Sequence, residues 1–264
     1  MVNDPQIDAL IITSVNTLHY PQIIKGIENS KHLLVEKPVL IDLEQYAEIE
    51  QLAAKKKIKI FPAHNFAYRN AVRKAKEIVD SGALGKIVYG SFVSTHRLSE
   101  NHSRGWRALK DIGAGGALID SGHHQVYQSL YLMGKPVKIQ SFISKINKIH
   151  MECEDTAVVN LQYSNGALGT IMQSWASDDH AGANAIRIIG DAGSICISDA
   201  LYHNDKKINE DVGYEHSFEA LAEAFIDCLI NGTGPVSTLQ DSMETLRLVF
   251  SAYKSADKNI VVDF

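Results

Sequence analysis

Cysteine is scarce in this chain, which has only three among 264 residues: Cys153, Cys196 and Cys228. An odd number at such wide spacing argues against a disulfide framework and against a zinc knuckle. The sequence therefore predicts a protein of a reducing, cytoplasmic compartment.

Long apolar runs and an excess of positive charge are also missing. No apolar stretch approaches 18 residues, so no membrane span is predicted. Residues 1–5 lack the basic and apolar regions of a secretion signal. Twenty-six Lys and Arg residues face 31 Asp and Glu residues, which gives a formal charge of −5. Because no basic stripe is present, we expect neither a nucleic-acid partner nor a membrane partner.

Glycine-rich phosphate-binding patterns are absent as well. No Gly-x-Gly-x-x-Gly follows a strand, and no P-loop pattern occurs. The one glycine cluster, residues 113–116, lacks the final glycine spacing and a preceding parallel strand. The sequence thus predicts no helix N-terminus that holds a phosphate.

The first third of the chain alternates strands and helices. Nearly continuous apolar runs predict buried strands over residues 8–13, 32–35 and 58–63. Helical spacing lies between them, over residues 19–30 and after the potential N-cap Asp42. Such repeats imply right-handed crossovers and a parallel sheet.

Longer strand-like segments follow one another after about residue 67. They span residues 87–96, 137–146, 156–163, 167–175, 183–189 and 194–198. Hairpin turns are expected at residues 164–166 and 190–193, so this sheet is predicted to be open and mainly antiparallel. Flanking helices are predicted over residues 71–80, 117–133, 218–230 and 239–255. The chain thus divides into an α/β part, residues 1–66, and an α+β part, residues 67–264.

The first motif with potential chemistry is Glu36-Lys37-Pro38, which directly follows the second predicted strand. Ligands of open α/β sheets bind beyond the carboxyl ends of the strands. Pro38 disfavours the α region for Lys37 and so restricts where its ammonium points. A fixed cation at this place could stabilise a substrate oxygen that gains negative charge. The alternative is a surface lysine beside a turn proline.

The second motif contains Asp120, His123 and His124 on a predicted helix. Residues four apart share a helix face, so a carboxylate and an imidazole would lie about 5–6 Å apart. A histidine can take a proton from an alcohol, and a neighbouring carboxylate can orient it. The spacing alone does not choose between the two histidines. The alternative is an ion pair on the helix surface.

The same side chains allow a metal site, which Asp178, Asp179 and His180 could complete. No recognised ligand spacing such as His-Glu-x-x-His is present. We therefore predict no metal.

Taken together, several segments resemble the glucose–fructose oxidoreductase / inositol dehydrogenase (Gfo/Idh/MocA) family. Residues 31–38, which end in Glu36-Lys37-Pro38, are similar to the family's most recognisable signature, and Gly115-Gly116-Ala117-Leu118-x-Asp120-x-Gly122-x-His124 resembles its catalytic helix. Further matching segments are residues 4–12 with Asn16 and His19, residues 81–87, residues 154–157 and residues 165–169. Each match is weak alone, but together they follow the family's order through nearly the whole chain.

The resemblance implies a polyol or sugar oxidoreductase that uses NAD or NADP. Lys37, Asp120 and His124 would form the catalytic group, because the Gly-x-His pattern selects His124 over His123. The residues implied to lie near the cofactor are Ser14, Asn16, His19, Glu36, Lys37, Trp106 and Arg107. The family also implies a homo-oligomer formed through the antiparallel sheet. Tyr127 stands where the family usually carries an acid, a change that could alter the orientation of the substrate.

The chain also departs from the family at its start. A Rossmann sheet has the strand order 3-2-1-4-5-6, and the predicted strands resemble only strands 4, 5 and 6. We therefore expect a partial, C-terminal half of a Rossmann sheet, residues 1–66, before the larger α+β domain. The bare apolar edge of the first strand would then favour self-association, or cofactor binding would be weak or absent. The alternative function is a non-catalytic sugar-binding or oligomerising relative that no longer binds the cofactor.

Overall fold

The computed structural model describes residues 1–180, 182–210 and 213–264. The strands are β1 Ala9–Ile12, β2 His32–Val35, β3 Ile60–Pro62, β4 Ile87–Thr95, β5 Lys138–Ser144, β6 Thr156–Gln162, β7 Leu168–Ser174, β8 Ala185–Gly190, β9 Ser194–Ile197, β10 Ala200–His203, β11 Lys206–Glu210 and β12 Val262–Asp263. The helices are α1 His19–Glu28, α2 Glu44–Lys56, α3 Asn70–Asp80, α4 Glu100–Ser103, α5 Lys110–Gly113, α6 Gly122–Met133, α7 Gly213–Asn231 and α8 Leu239–Lys258. Short 3-10 turns lie at Asn16–Leu18, Asn65–Tyr68 and Trp106–Ala108.

The first sheet is parallel, as predicted, and has the order β1-β2-β3. One face of the sheet packs against α1 and α2, where Ile23 and Ile49 are fully buried, and on the other face Phe61 packs against Phe225 of α7. Within the described part of the chain, β1 pairs with β2 alone, so its other edge is open, and Ile11 on this strand is exposed. The self-association that we expect from such an edge remains a prediction.

The second sheet is mixed and has nine strands in the order β11-β10-β9-β8-β4-β7-β6-β5-β12. The pairing of β4 with β7 is parallel and the other pairings are antiparallel, so the prediction of a large, mainly antiparallel open sheet is confirmed. The two expected hairpin turns join β6 to β7 and β8 to β9. The sequence did not predict β10, β11 or β12. The turn between β10 and β11 contains Asn204 and Asp205, which both have positive φ, as a two-residue hairpin turn requires.

One apolar cluster connects the two sheets. It contains Val35 of β2, Phe92 of β4 and Leu246 of α8, which are all fully buried. Helix α8 contacts both β3 and β5, so the C-terminal helix packs against each sheet. The predicted boundary between residues 66 and 67 falls inside a 3-10 turn, and it remains a prediction. Among the described residues, no helix is both long enough and apolar enough to cross a membrane.

The helix predicted over residues 117–133 begins later, at Gly122. The backbone N–H groups of Gly116 and Leu118 donate to the carboxylate of Glu154 at 3.0 and 2.9 Å, and that of Ala117 donates to the Glu154 carbonyl. These bonds hold residues 116–118 in an irregular turn against the start of β6. A Cβ at position 116 would lie 2.0 Å from the Glu154 carbonyl oxygen, so this approach requires glycine.

Candidate active site

A cavity of about 760 Å³ opens where the carboxyl ends of the first sheet meet the segment before α6 and the first turns of α7. This is the place where open α/β sheets bind ligands, and the volume suits a small organic molecule. Its wall is formed by Thr13, Ser14, Val15, Asn16, Glu36, Lys37, Asn65, His96, Leu98, His102, Trp106, Arg107, Asp120, Ser121, His124, Tyr214 and Phe218.

Asp120 is the electrostatic centre of this cavity. Its Oδ1 accepts from Lys37 Nζ at 2.7 Å, and its Oδ2 accepts from Arg107 Nε at 2.7 Å. Lys37 Nζ also donates to the Asp120 backbone carbonyl at 3.0 Å. Burial alone would raise the pKa of Asp120, but the two cations and their hydrogen bonds hold that pKa well below its usual value. The carboxylate is therefore ionised at neutral pH, and it fixes the position of the Lys37 ammonium.

His124 lines the same cavity, whereas His123 does not. The prediction that Asp120 and His124 share a helix face was wrong in detail, because Asp120 lies in the turn that precedes α6. Both side chains nevertheless reach one cavity. Burial, together with the charge of Lys37, holds the pKa of His124 well below 6.5. The imidazole is therefore neutral at pH 7, the state in which it can accept a proton.

His123 points about 100° away from His124 around the helix axis and is fully buried against His64. Tyr127, which the sequence singled out as a departure from the family, also packs against His64, with ring centroids 4.4 Å apart. Tyr127 does not line the cavity.

Most of the residues predicted to lie near the cofactor line the cavity, but His19 does not. Ser14, Asn16 and Glu36 line the cavity at the ends of β1 and β2. His19 does not line it: its Nδ1 lies 2.9 Å from the Pro38 carbonyl and its Nε2 lies 3.1 Å from the Ser14 carbonyl. The buried His19 thus connects the loops that follow β1 and β2, and it holds together the part of the cavity wall that these loops form.

Trp106 and Arg107 enter the cavity from the segment after α4. The Arg107 guanidinium lies 4.3 Å from the centre of the Trp106 ring while its Nε contacts Asp120. The Glu36 carboxylate accepts from the backbone N–H of Lys37 at 3.1 Å and keeps further acceptor capacity toward the cavity. A ribose hydroxyl and an aromatic ring would therefore find matching groups on this wall, so the residues present fit a nicotinamide nucleoside.

Nine of the 17 wall residues were not predicted as site residues, and His96, Tyr214 and Phe218 are three of them. His96 follows β4, and its Nε2 lies 3.5 Å from the Ser121 hydroxyl, which accepts from the indole of the buried Trp175. Tyr214 and Phe218 reach the cavity from α7. Phe218 is the first residue of the helix predicted over residues 218–230, and the sequence does not indicate that it faces a cavity. The sequence offered one indication for His96, because a side chain at the end of a predicted strand is a candidate for a ligand-binding position.

No described side chains support the metal alternative. Among residues 1–180, 182–210 and 213–264, no group of three His, Cys, Asp or Glu residues is arranged to hold a metal ion. Asp178 instead forms an exposed salt bridge with Arg97, and Asp179 accepts from the backbone N–H of Asn184.

Two family models match the chain. Residues 1–64 match the oxidoreductase family with an NAD-binding Rossmann fold, and residues 72–196 match the GFO/IDH/MocA C-terminal domain. The chain therefore belongs to the Gfo/Idh/MocA family of oxidoreductases, which use a nicotinamide cofactor, and the resemblance seen in the sequence is confirmed.

Similar proteins of known activity are sugar and inositol dehydrogenases. The chain is 22% identical to D-xylose 1-dehydrogenase [NADP(+)] of Haloarcula marismortui, with 97% of the chain and 74% of the relative covered. It is 28% identical to scyllo-inositol 2-dehydrogenase (NAD(+)) of Bacillus subtilis, with coverages of 97% and 77%. A levoglucosan dehydrogenase in complex with NADH and levoglucosan has the same fold, with a TM-score of 0.86, 22% identity, and coverages of 99% and 81%.

Proposed function

We propose that this chain transfers a hydride between a hydroxyl-bearing carbon of a sugar, inositol or related polyol and a nicotinamide cofactor. The observation that carries the proposal is the convergence of Lys37, Asp120 and His124 on one cavity at the carboxyl ends of the parallel strands. The names of the relatives support the substrate class, since they act on xylose, inositols and levoglucosan.

Each catalytic side chain has a distinct role in this proposal. The neutral His124 takes the proton of the substrate hydroxyl. The Lys37 ammonium stabilises the oxygen as it gains negative charge. Asp120 holds Lys37 in place through the hydrogen bond between Lys37 Nζ and its carboxylate. When bound, the nicotinamide ring supplies the hydride acceptor.

Cofactor and substrate contact different parts of the wall. We propose that Ser14, Asn16 and Glu36 bind the nicotinamide ribose and that Trp106 packs against the cofactor. His96 and Tyr214 then face the substrate, because they enter from the second sheet and from α7. An imidazole and a phenol offer hydrogen bonds to hydroxyls together with aromatic surface for the apolar side of a ring.

The proposal is tested with the purified chain, NAD+ or NADP+, and four candidate substrates: D-xylose, scyllo-inositol, myo-inositol and levoglucosan. We expect absorbance of the reduced cofactor to rise with at least one substrate, and the preferred cofactor is the one with the higher kcat/KM. A Lys37→Met variant purified in parallel controls for contaminating dehydrogenases. Binding of a sugar without hydride transfer to either cofactor would support the non-catalytic alternative and contradict the proposal.

We further propose that the chain forms a homo-oligomer through the second sheet. Phe142, Val158, Met172 and Val93 are register partners across β5, β6, β7 and β4, and we call this row the sheet ladder. Its members are half-buried or exposed in the single chain, with Phe142 58% exposed. A contiguous apolar row of this kind is typical of a subunit interface.

Replacing Phe142 by lysine is therefore expected to shift the sedimentation of the protein to a smaller species, because a charge would be buried in the contact. The matched control is Ile230→Lys at the end of α7, where the isoleucine is 75% exposed and lies outside the sheet. Analytical ultracentrifugation distinguishes the species. A monomeric wild type, or a Phe142 variant that sediments like the wild type, would count against this interface.

We also propose a reducing, cytoplasmic location. All three cysteines are unpaired in the structure, and Cys153 and Cys228 are buried.

A further inference from the structure

Two buried histidines connect three distant segments beneath the cavity. His64 is 1% exposed and His123 is 0% exposed, and their Nε2 atoms lie 3.2 Å apart. His64 Nδ1 lies 2.7 Å from the hydroxyl of the buried Ser237. These bonds join the segment after β3, the first turn of α6 and the residue before the N-cap of α8.

The partners of the two rings determine where the protons lie. Two facing Nε2 atoms form a hydrogen bond only if one of them carries a proton. His123 Nδ1 has no hydrogen-bond partner among the described residues. A buried N–H without an acceptor is rare, so we assign the His123 proton to Nε2, which then donates to His64. The His64 proton consequently lies on Nδ1 and is donated to Ser237. Burial lowers the pKa of His64 to about 3, so both rings are neutral at pH 7.

The segment that holds His123 also holds His124. Phe66, two residues after His64, stacks on the His124 ring with a centroid distance of 4.2 Å and an interplanar angle of 16°. Successive residues of a helix point about 100° apart. One short segment therefore contacts two neighbouring histidines from different directions, His123 by a hydrogen bond and His124 by ring stacking.

We propose that His64 is a positioning residue, which sets the rotation of the first turn of α6 through His123 and thereby aims the His124 imidazole into the cavity. The inference rests on the proposed function, since it assigns His124 the role of proton acceptor. His64 itself does not line the cavity. Its effect therefore arises from the geometry of His124 and not from contact with substrate or cofactor.

Two substitutions of His64 separate the two bonds that this ring makes. In His64→Gln the amide oxygen can take the place of Nε2 and accept from His123. In His64→Asn the amide nitrogen can take the place of Nδ1 and donate to Ser237, but the side chain is too short to reach His123. We expect kcat to fall by about 10- to 100-fold in the Asn variant, since small misplacements of a catalytic group have effects of this size. The Gln variant should stay within about threefold of wild type, and KM and cofactor affinity should stay within about twofold in both.

A measurement without substrate keeps the test independent of the proposed function. Imidazole ¹⁵N NMR of the full chain should show His123 protonated at Nε2 and His64 protonated at Nδ1 in the wild type. The His124 ring signals should move in the Asn variant and stay near their wild-type positions in the Gln variant. Lack of activity on every polyol would refute the proposed function but leave this comparison intact. His124 signals that move equally in both variants, or in neither, would overturn the positioning role. The variants His123→Gln and His123→Asn test the same hydrogen bond by changing its other partner, His123.

Discussion

Replacing His124 by asparagine is expected to lower kcat for polyol oxidation by about a hundred- to ten-thousand-fold, the usual contribution of a general base. Asparagine is polar and close in size to histidine, but its amide does not accept a proton near neutral pH. The Lys37–Asp120 pair is held by hydrogen bonds between its own two residues, so its geometry should survive the change. Steady-state rates with NAD+ and NADP+ measure the loss.

The control for this variant is His216→Asn, the same substitution at an exposed position of α7 that does not line the cavity. Its kcat should equal that of the wild type. Titration of NAD(P)H fluorescence should give similar cofactor affinity for the wild type and both variants. If the His124 variant loses affinity and keeps its rate, then His124 binds the cofactor and the proton acceptor is another residue.

Much of the site was predictable because its residues are tied to recognisable local features. Lys37 follows a buried parallel strand, and the carboxyl ends of such strands meet along one edge of a sheet. His124 follows a glycine in a motif that the family resemblance identified. These features predict that both residues belong to one site without any knowledge of tertiary contacts. In the structure both residues line the same cavity.

The remaining features depend on contacts between residues far apart in the sequence. The late start of α6 is caused by Glu154, which binds the N–H groups of Gly116 and Leu118 across 36 or more residues. No local pattern around residue 117 shows that its neighbours are bonded to another segment. The contacts of His64 could not be predicted for the same reason, because its partners His123 and Ser237 lie 59 and 173 residues away in the sequence.

The substitution Asp120→Asn is expected to affect both stability and rate. The amide keeps the size of the carboxylate but removes its charge, so Lys37 and Arg107 lose the anion that they share. Removing one partner of a fully buried ion pair costs about 3–5 kcal/mol, and here we expect about 2 kcal/mol, because the cavity admits water. We also expect kcat to fall by about a hundredfold, since the Lys37 ammonium is no longer fixed beside the substrate oxygen.

The matched control is Asp178→Asn, which breaks the pair between Asp178 and Arg97. The side chains of that pair are 54% and 50% exposed, so the loss should be much smaller than that of Asp120→Asn. Urea unfolding of the wild type and both variants measures the difference. The pKa of Asp120 is lowered in the folded state, so the pair stabilises the fold above the unfolded pKa, and this stabilisation is lost as the pH falls through the folded value. The gap in the free energy of unfolding between wild type and Asp120→Asn should therefore be constant near neutral pH. It should begin to shrink as the pH falls toward the unfolded pKa of 3.8, and it should continue to shrink down to the lower folded value. Equal losses in the two variants would show that Asp120 does not hold the two cations together.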